Sequence, residues 1–258
     1  MRVVSLAPTA TETIAFLGAL NLLTGVTEDC DFPEQVRRLP TYGSWASPDL
    51  YALSRDRPDL VCTFGGHQKE MALWLQDRGL SVFHSDPPTV EASLTAMMAL
   101  AKCLQKPKDG ARLLEHLRAR LRVVDHQTSL LPKTLRPKIL RIMQWHPLIT
   151  VGPGAFQYDV IQRAGGIPFL EDGAAAYEKV SPEQVVAWNP DIIFFCEPSI
   201  KTLLKHDPLW QFCSAIRRGS VFVFPCALTC RAGPRIVDMT EQLAHIVALW
   251  FRKHKENI

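Results

Sequence analysis

The chain alternates short apolar runs with longer stretches in which apolar positions recur every three or four residues. The runs at residues 2–6, 59–63 and 80–84 have the length of buried strands, and the stretches between and after them have helical spacing. Alternation of strand with helix is typical of a parallel sheet that helices cover on both faces. The first third of the chain therefore predicts an α/β fold.

The middle of the chain contains no strand-like run. From residue 90 to residue 131 the pattern predicts two helices, separated at Pro107. The second helix, predicted over residues 108–131, carries one apolar stripe of leucine and valine with arginine and glutamate off it. At 1.5 Å per residue this helix is about 36 Å long. It is long enough to run the height of a domain.

One motif occurs twice, at residues 47–64 and 181–195. Both copies begin with Ser-Pro and an acidic residue, continue as a helix, and end with Pro-Asp and an apolar run. Two further pairs of segments match in the same order in the two halves. We therefore predict two Rossmann-like lobes with parallel sheets, over residues 1–105 and 135–258, joined by one long backbone helix within residues 106–134.

Composition narrows the classes of function. With 258 residues, 47% of them hydrophobic and 21% charged, the chain is a folded globular protein of one large domain or two lobes. A net charge of +3 is too small to indicate nucleic acid or a membrane surface as partner. Apolar runs stay shorter than the roughly 18 residues of a membrane span. We expect a monomer with a small-molecule partner and no nucleic-acid partner.

The first residues and the cysteine content indicate the cellular compartment of the protein. The sequence MRVVSL enters the first strand without a separate apolar leader, which predicts a cytoplasmic protein, or an extracytoplasmic one if the chain is a trimmed mature form. Seven cysteines, an odd number, suit a reducing compartment. Cys62 and Cys196 lie in apolar runs and are predicted to be core residues. Cys226 and Cys230 form a C-x3-C pair, a weak metal signal, and we expect no metal there.

Residues that follow predicted strands are the candidate ligand contacts, because ligands of open α/β folds bind at the carboxyl ends of strands. These positions are rich in aromatic and neutral polar residues and poor in paired carboxylates. This pattern favours a large, flat, partly apolar ligand over acid–base catalysis. The sequence has no Ser-His-Asp motif and no phosphate-binding glycine loop, so we do not expect an enzyme. A reactive Cys226 or Cys230 beside a histidine is the enzymatic alternative.

Several segments together resemble the class III periplasmic-binding-protein superfamily, the helical-backbone metal receptors, and within it the cobalamin-binding branch. They are RVVSLAPTATETIAFLGA, GVTEDCDFP, RPDLVCTFGG, RAGG, SPEQVVAWNPDII and RAGPRIVD, in this order along nearly the whole chain. The resemblance implies two lobes bridged by one rigid helix, with the ligand in a cleft between them. It also implies a non-catalytic receptor with no intrinsic cofactor. The permease of an ABC importer is the candidate protein partner, and whether the chain docks on one stays open.

Within this resemblance, cobalamin or a related corrinoid is the expected ligand, held by aromatic side chains and a few polar groups. Gly65 and Gly66 permit close backbone approach, and His67 is either a ligand contact or an exposed loop histidine. The candidate ligand-binding residues are Ser5, Thr9, Trp45, Phe64, Gly65, Gly66, His67, Phe156, Trp210 and Arg231.

The chain departs from the family pattern at two places that bear on the cargo. Glu28 stands where related sequences often have a histidine, and Thr229 and Cys230 stand where they have an aromatic or acidic residue. Haem, a ferric siderophore or a bare metal ion therefore stay open as alternative cargoes. A bare metal ion needs three or four converging ligands.

Overall fold

The computed structural model describes residues 1–170, 173 and 175–255 as an α/β protein. Its strands are β1 (Val3–Ser5), β2 (Leu23–Gly25), β3 (Leu60–Phe64), β4 (Val82–Ser85), β5 (Lys138–Gln144), β6 (Ile149–Val151), β7 (Ile167–Pro168), β8 (Tyr177–Lys179), β9 (Ile192–Phe195) and β10 (Val221–Val223). Its helices are α1 (Pro8–Phe16), α2 (Leu50–Asp56), α3 (Lys69–Asp77), α4 (Val90–Cys103), α5 (Pro107–Ser129), α6 (Phe156–Arg163), α7 (Pro182–Trp188), α8 (Ser199–His206), α9 (Ser214–Arg217), α10 (Cys226–Thr229) and α11 (Ile236–Lys255).

The first sheet is parallel throughout, in the order β2-β1-β3-β4. Its strands β1 and β3 are buried, as continuous apolar runs of a parallel sheet should be. A core of aliphatic side chains from β1, β3, α2 and α3 packs on this sheet. The strand and helix order predicted for the first third of the chain is confirmed.

The second sheet is mixed, which differs from the prediction of a parallel sheet. Its order is β10-β9-β5-β6-β8, with β7 beside β5. Strands β7, β9 and β10 run parallel to their neighbours, whereas β6 is antiparallel to both β5 and β8. The connection between β5 and β6 is too short for a parallel crossover, which needs a dozen or more residues, so these two strands form a hairpin.

The repeated motif has the same structural role in both sheets. Helices α2 and α7 each end at a residue with left-handed backbone, Arg57 (φ 44°) and Asn189 (φ 57°), directly before Pro-Asp. Asp59 then accepts the backbone N–H of Arg2 at 2.5 Å, and Asp191 accepts that of Lys138 at 3.0 Å. In each case the aspartate satisfies a donor at the start of the neighbouring strand. In the first sheet the motif joins α2 to β3, which pairs with β1. In the second sheet it joins α7 to β9, which pairs with β5.

The chain divides into two compact units whose bounds differ from the predicted segments. One comprises Met1–Pro87, Glu91–Leu117 and Ala232–Pro234, and the other Pro88–Val90, Arg118–Arg231 and Arg235–Ile258. Helix α5 is about 34 Å long at 1.5 Å per residue, and its residues fall partly in one unit and partly in the other. It ends at Ser129, two residues before the predicted end.

In the second unit, charged side chains attach α5 to the helices beside it. Arg120 binds the carboxylates of Asp238 and Glu241 on α11, with its Nε at 2.9 Å from Glu241. Arg163 of α6 binds Asp125 through two nitrogen atoms, at 2.7 and 2.6 Å. Two-pronged arginine–carboxylate pairs fix direction as well as distance, so they set the orientation of these helices. Among the residues that the structure describes, no helix has both the length and the apolar character of a membrane span.

Candidate ligand-binding site

In the first unit, the loop after β3 and the loop before α2 bring together the predicted residues Trp45, Gly65 and His67. Strand β3 ends at Phe64, and Gly65 then turns the chain with φ 80°, a conformation that costs glycine little. A Cβ atom on Gly65 would lie 4.0 Å from the Trp45 ring. We call Trp45, Phe64, Gly65, Gly66 and His67 the Trp45 surface.

The aromatic part of the Trp45 surface is a pair of rings. The Trp45 and His67 ring centroids are 5.0 Å apart, with the planes tilted by 34°. His67 Nε2 lies 2.9 Å from the carbonyl oxygen of Ala46, which fixes the imidazole against the tryptophan loop. Trp45 is half-buried and His67 is exposed. The pair therefore offers an ordered, partly accessible aromatic surface.

The backbone of Trp45 is held on both sides by side chains that the sequence analysis did not select. Its N–H donates to Asp29 at 2.5 Å, and its carbonyl accepts from Gln68 Nε2 at 2.8 Å. Gln68 also donates to the Leu6 carbonyl at 2.9 Å and accepts the Phe64 N–H at 2.9 Å. Gln68 thus connects the ends of β1 and β3 with the tryptophan loop. The sequence signal that could have identified Gln68 as a site residue was its position directly after His67.

Two further groups lie near the glycines of the Trp45 surface. A Cβ atom on Gly66 would lie 3.6 Å from Asp86 Oδ2, so the carboxylate is close to this backbone. His84 at the end of β4 lies 3.0 Å from the Thr63 hydroxyl through Nδ1. Burial lowers the pKa of the His84 imidazole, and the nearby carboxylate of Asp86 opposes that shift.

Ser5 and Thr9 are both buried where β1 joins α1. Ser5 is fully buried, donates to the Ala7 carbonyl at 2.9 Å and accepts from Thr11 at 2.8 Å. Thr9 is buried in the first turn of α1. Ser5 and Thr9 as ligand contacts stay predictions. A small hydroxyl after a strand has the same sequence pattern in either role.

In the second unit, Trp210 lies in the hydrophobic core. Its side chain is 0% exposed and packs with Trp145, at a ring distance of 5.4 Å. Trp210 as a ligand contact stays a prediction. Phe156 begins α6 and is buried, and Arg231, which follows Cys230, is half-buried. Phe156 and Arg231 as ligand contacts stay predictions.

A second cluster of polar side chains lies in the second unit, where β9 and β10 end. The sulfur atoms of Cys196, Cys226 and Cys230 all lie within 4.8 Å of one another, and Cys196 and Cys230 are 3.8 Å apart. Cys62 is a core residue as predicted, whereas Cys196 is half-exposed at the end of β9, so its prediction as core was wrong. We call the three residues the cysteine cluster.

A buried arginine lies against the cysteine cluster. Arg141 of β5 is 0% exposed, and its Nη2 lies 3.5 Å from Cys196 and 3.7 Å from Cys230. Hydrogen bonds from the other two thiols, with a further contribution from Arg141, lower the pKa of the Cys196 thiol. Hydrogen bonds to Cys196 and Cys230 raise the pKa of the Cys226 thiol. Negative charge in the cluster is therefore favoured on Cys196.

The periplasmic binding protein family matches residues 3–227, most of the chain. The chain belongs to this family. Its members are substrate-binding proteins of transport systems rather than enzymes, so the predicted absence of catalysis and the predicted superfamily are confirmed. The vitamin B12-binding protein of Photorhabdus laumondii is 27% identical over 244 residues, covering 94% of this chain and 86% of its own. That of Vibrio cholerae is 26% identical over 249 residues, covering 94% and 87%.

Solved structures of several binding proteins share the fold. The periplasmic vitamin B12-binding protein of Vibrio cholerae has a TM-score of 0.84 at 24% identity, covering 96% of this chain and 97% of its own. A periplasmic haem-binding protein from Roseiflexus sp. RS-1 has a TM-score of 0.83 at 23% identity, covering 97% and 98%. Since one of these proteins is named for vitamin B12 and the other for haem, the likeness supports the fold and leaves the ligand to other observations.

Proposed function

We propose that the protein binds cobalamin or another corrinoid and presents it to a transport system. The observation that carries the proposal is the Trp45 surface, an aromatic pair beside two glycines at the carboxyl end of a parallel strand. The names of the sequence relatives, vitamin B12-binding proteins, support the same ligand class.

A corrinoid has a broad apolar face with amide groups around its rim. The indole of Trp45 supplies contact area for the face, and Gly65 and Gly66 allow a large ring to come close to the backbone. The amide groups of the corrinoid rim donate and accept hydrogen bonds without carrying charge, so polar groups at the edge of the Trp45 surface can bind them. Phe156 and Arg231 are proposed as further contacts from the second unit. The predicted position of the ligand between the two lobes stays a prediction.

Haem is the second candidate, because haem-binding proteins match the fold as well as the vitamin B12-binding protein does. Haem carries carboxylates and commonly takes an axial ligand from the protein. The exposed His67 could supply a nitrogen, whereas the aromatic and neutral character of the Trp45 surface favours the corrinoid.

The proposed partner is the permease of an ABC importer, in line with the transport role of the family, and the proposed oligomeric state is a monomer. Both solved relatives described above are periplasmic proteins, which supports a mature form that works outside the cytoplasm. The odd number of cysteines, seven, favours a reducing compartment instead. Fractionation of the native host, with an antibody to this protein, decides between the two compartments.

Calorimetric titration of the purified chain with cobalamin, its precursor cobinamide and haemin tests the proposal. We expect both corrinoids to bind and Trp45→Ala to weaken them about tenfold to a hundredfold, because burying one large aromatic side chain contributes about 1.5–3 kcal/mol. Tyr51→Ala is the matched control, since Tyr51 is an exposed aromatic residue of the same unit. Binding of haemin with no heat from either corrinoid would overturn the proposed ligand and retain the fold.

A further inference from the structure

The cysteine cluster is built from two separate elements of the second unit. Cys196 directly follows β9, and Cys226 and Cys230 lie four residues apart at the two ends of α10. Residues four apart on a helix face the same side, so both thiols point toward the end of β9. The backbone N–H of Cys230 donates to the Cys226 carbonyl at 2.9 Å, which fixes this spacing.

The distances between the sulfur atoms match those of a metal site. A tetrahedral zinc centre has Zn–S bonds of about 2.3 Å, so two of its sulfur ligands are about 3.8 Å apart. The Cys196 and Cys230 sulfur atoms are 3.8 Å apart, and every pair in the cluster is within 4.8 Å. The third sulfur therefore needs to move by about 1 Å or less to complete a face of the tetrahedron.

The charge of Arg141 completes the argument. Its guanidinium group is fully buried, and among the described residues its Nε has no hydrogen-bond partner. A buried cation is costly unless an anion lies close to it. A divalent cation with three thiolates carries one net negative charge, which the guanidinium beside Cys196 and Cys230 offsets.

We propose that Cys196, Cys226 and Cys230 bind one thiophilic divalent cation of the Zn²⁺ class, beside the buried Arg141. All three sulfur atoms bind as thiolates, so binding releases to solvent one proton from each cysteine that was a thiol and forms three metal–sulfur bonds in place of metal–water bonds. Cys226 is exposed, so the fourth position of the tetrahedron is open to water or to an external ligand. The argument for this site does not rest on the proposed corrinoid function.

Titration of the reduced, full-length protein with Co²⁺ tests the proposal. Co²⁺ substitutes for Zn²⁺ and gives strong visible absorption in tetrahedral thiolate sites. We expect one Co²⁺ per chain, displacement by Zn²⁺, and a chelator-competition affinity that falls about a hundredfold or more in Cys196→Ser. Cys226→Ser is the second variant, since its exposed side chain can be changed with little effect on packing.

Cys103→Ser is the matched control, because Cys103 is an exposed free thiol on α4, outside the cysteine cluster. It should bind Co²⁺ as the unchanged protein does. The proposal is overturned if the reduced protein gives no thiolate band, if folded Cys196→Ser and Cys226→Ser retain full affinity, or if Cys103→Ser loses it. Because no corrinoid is present, none of these outcomes bears on the proposed ligand.

Discussion

Replacement of Gln68 tests whether the Trp45 surface is held in place by hydrogen bonds from one buried side chain. Gln68 is 0% exposed and makes hydrogen bonds to Leu6, Trp45 and Phe64. In Gln68→Leu, the Leu6 carbonyl loses this donor in a fully buried environment, which costs about 1–3 kcal/mol. The Trp45 carbonyl and the Phe64 N–H belong to partly exposed residues, so water replaces part of each lost hydrogen bond. Each of these two losses costs about 0.5–1 kcal/mol.

The total is about 3 kcal/mol, which corresponds to a fall of about 6–12 °C in the melting temperature for a protein of this size. Thermal unfolding followed by circular dichroism measures the shift. Gln68→Glu should lose more, because a carboxylate cannot donate to the two carbonyl groups and would face them with negative charge.

Gln76→Leu is the matched control, a change of the same kind at an exposed position of α3. It should alter the free energy of unfolding by less than about 0.5 kcal/mol. If Gln68→Leu melted within about 2 °C of the unchanged protein, the three hydrogen bonds would not be what holds the tryptophan loop. At temperatures where Gln68→Leu is folded, its corrinoid affinity should also fall, because Trp45 is no longer fixed.

Three further predictions concern other parts of the chain. Arg120→Met should lower the free energy of unfolding by about 1–2 kcal/mol in low salt and by less in high salt, because its carboxylate partners are partly exposed. Arg122→Met, at an exposed position of the same helix, should have little effect. Gly166→Ala should cost about 1–3 kcal/mol in urea unfolding, since a Cβ would lie 2.8 Å from Ile139 Cγ1, and adding Ile139→Val should recover part of this loss. The lowered pKa of His84 means that the unfolded chain takes up a proton more readily than the folded one, so stability should fall as pH drops below about 6.5, and should fall less in His84→Gln.

The elements of the fold could be predicted where local pattern and tertiary environment agree. Buried parallel strands such as β3 are continuous apolar runs, and the Pro-Asp that precedes β3 and β9 marks their starts. The antiparallel β6 was not predicted, because its direction depends on a hairpin-length connection rather than on its composition. Periodicity alone cannot give the direction of a short strand.

The candidate site was only partly predictable, because side-chain roles depend on contacts between distant segments. Trp45 and Trp210 both follow the same local signal, an aromatic residue outside a regular strand, yet one is half-exposed and the other is in the core. The cysteine cluster shows the same difficulty. The pair on α10 is visible in the sequence, whereas Cys196 joins it from 30 residues upstream, through the pairing of β9 with β10.

The return of residues 232–234 to the first compact unit has a consequence for synthesis of the protein. The backbone of Gly233 packs so closely that a Cβ there would lie 3.3 Å from the Thr9 carbonyl oxygen. A ribosome must therefore translate nine-tenths of the message before the unit that begins at Met1 has all its residues. The first unit can therefore complete its folding only late in synthesis. A truncated gene that encodes the N-terminal half alone should yield a fragment that is prone to aggregate.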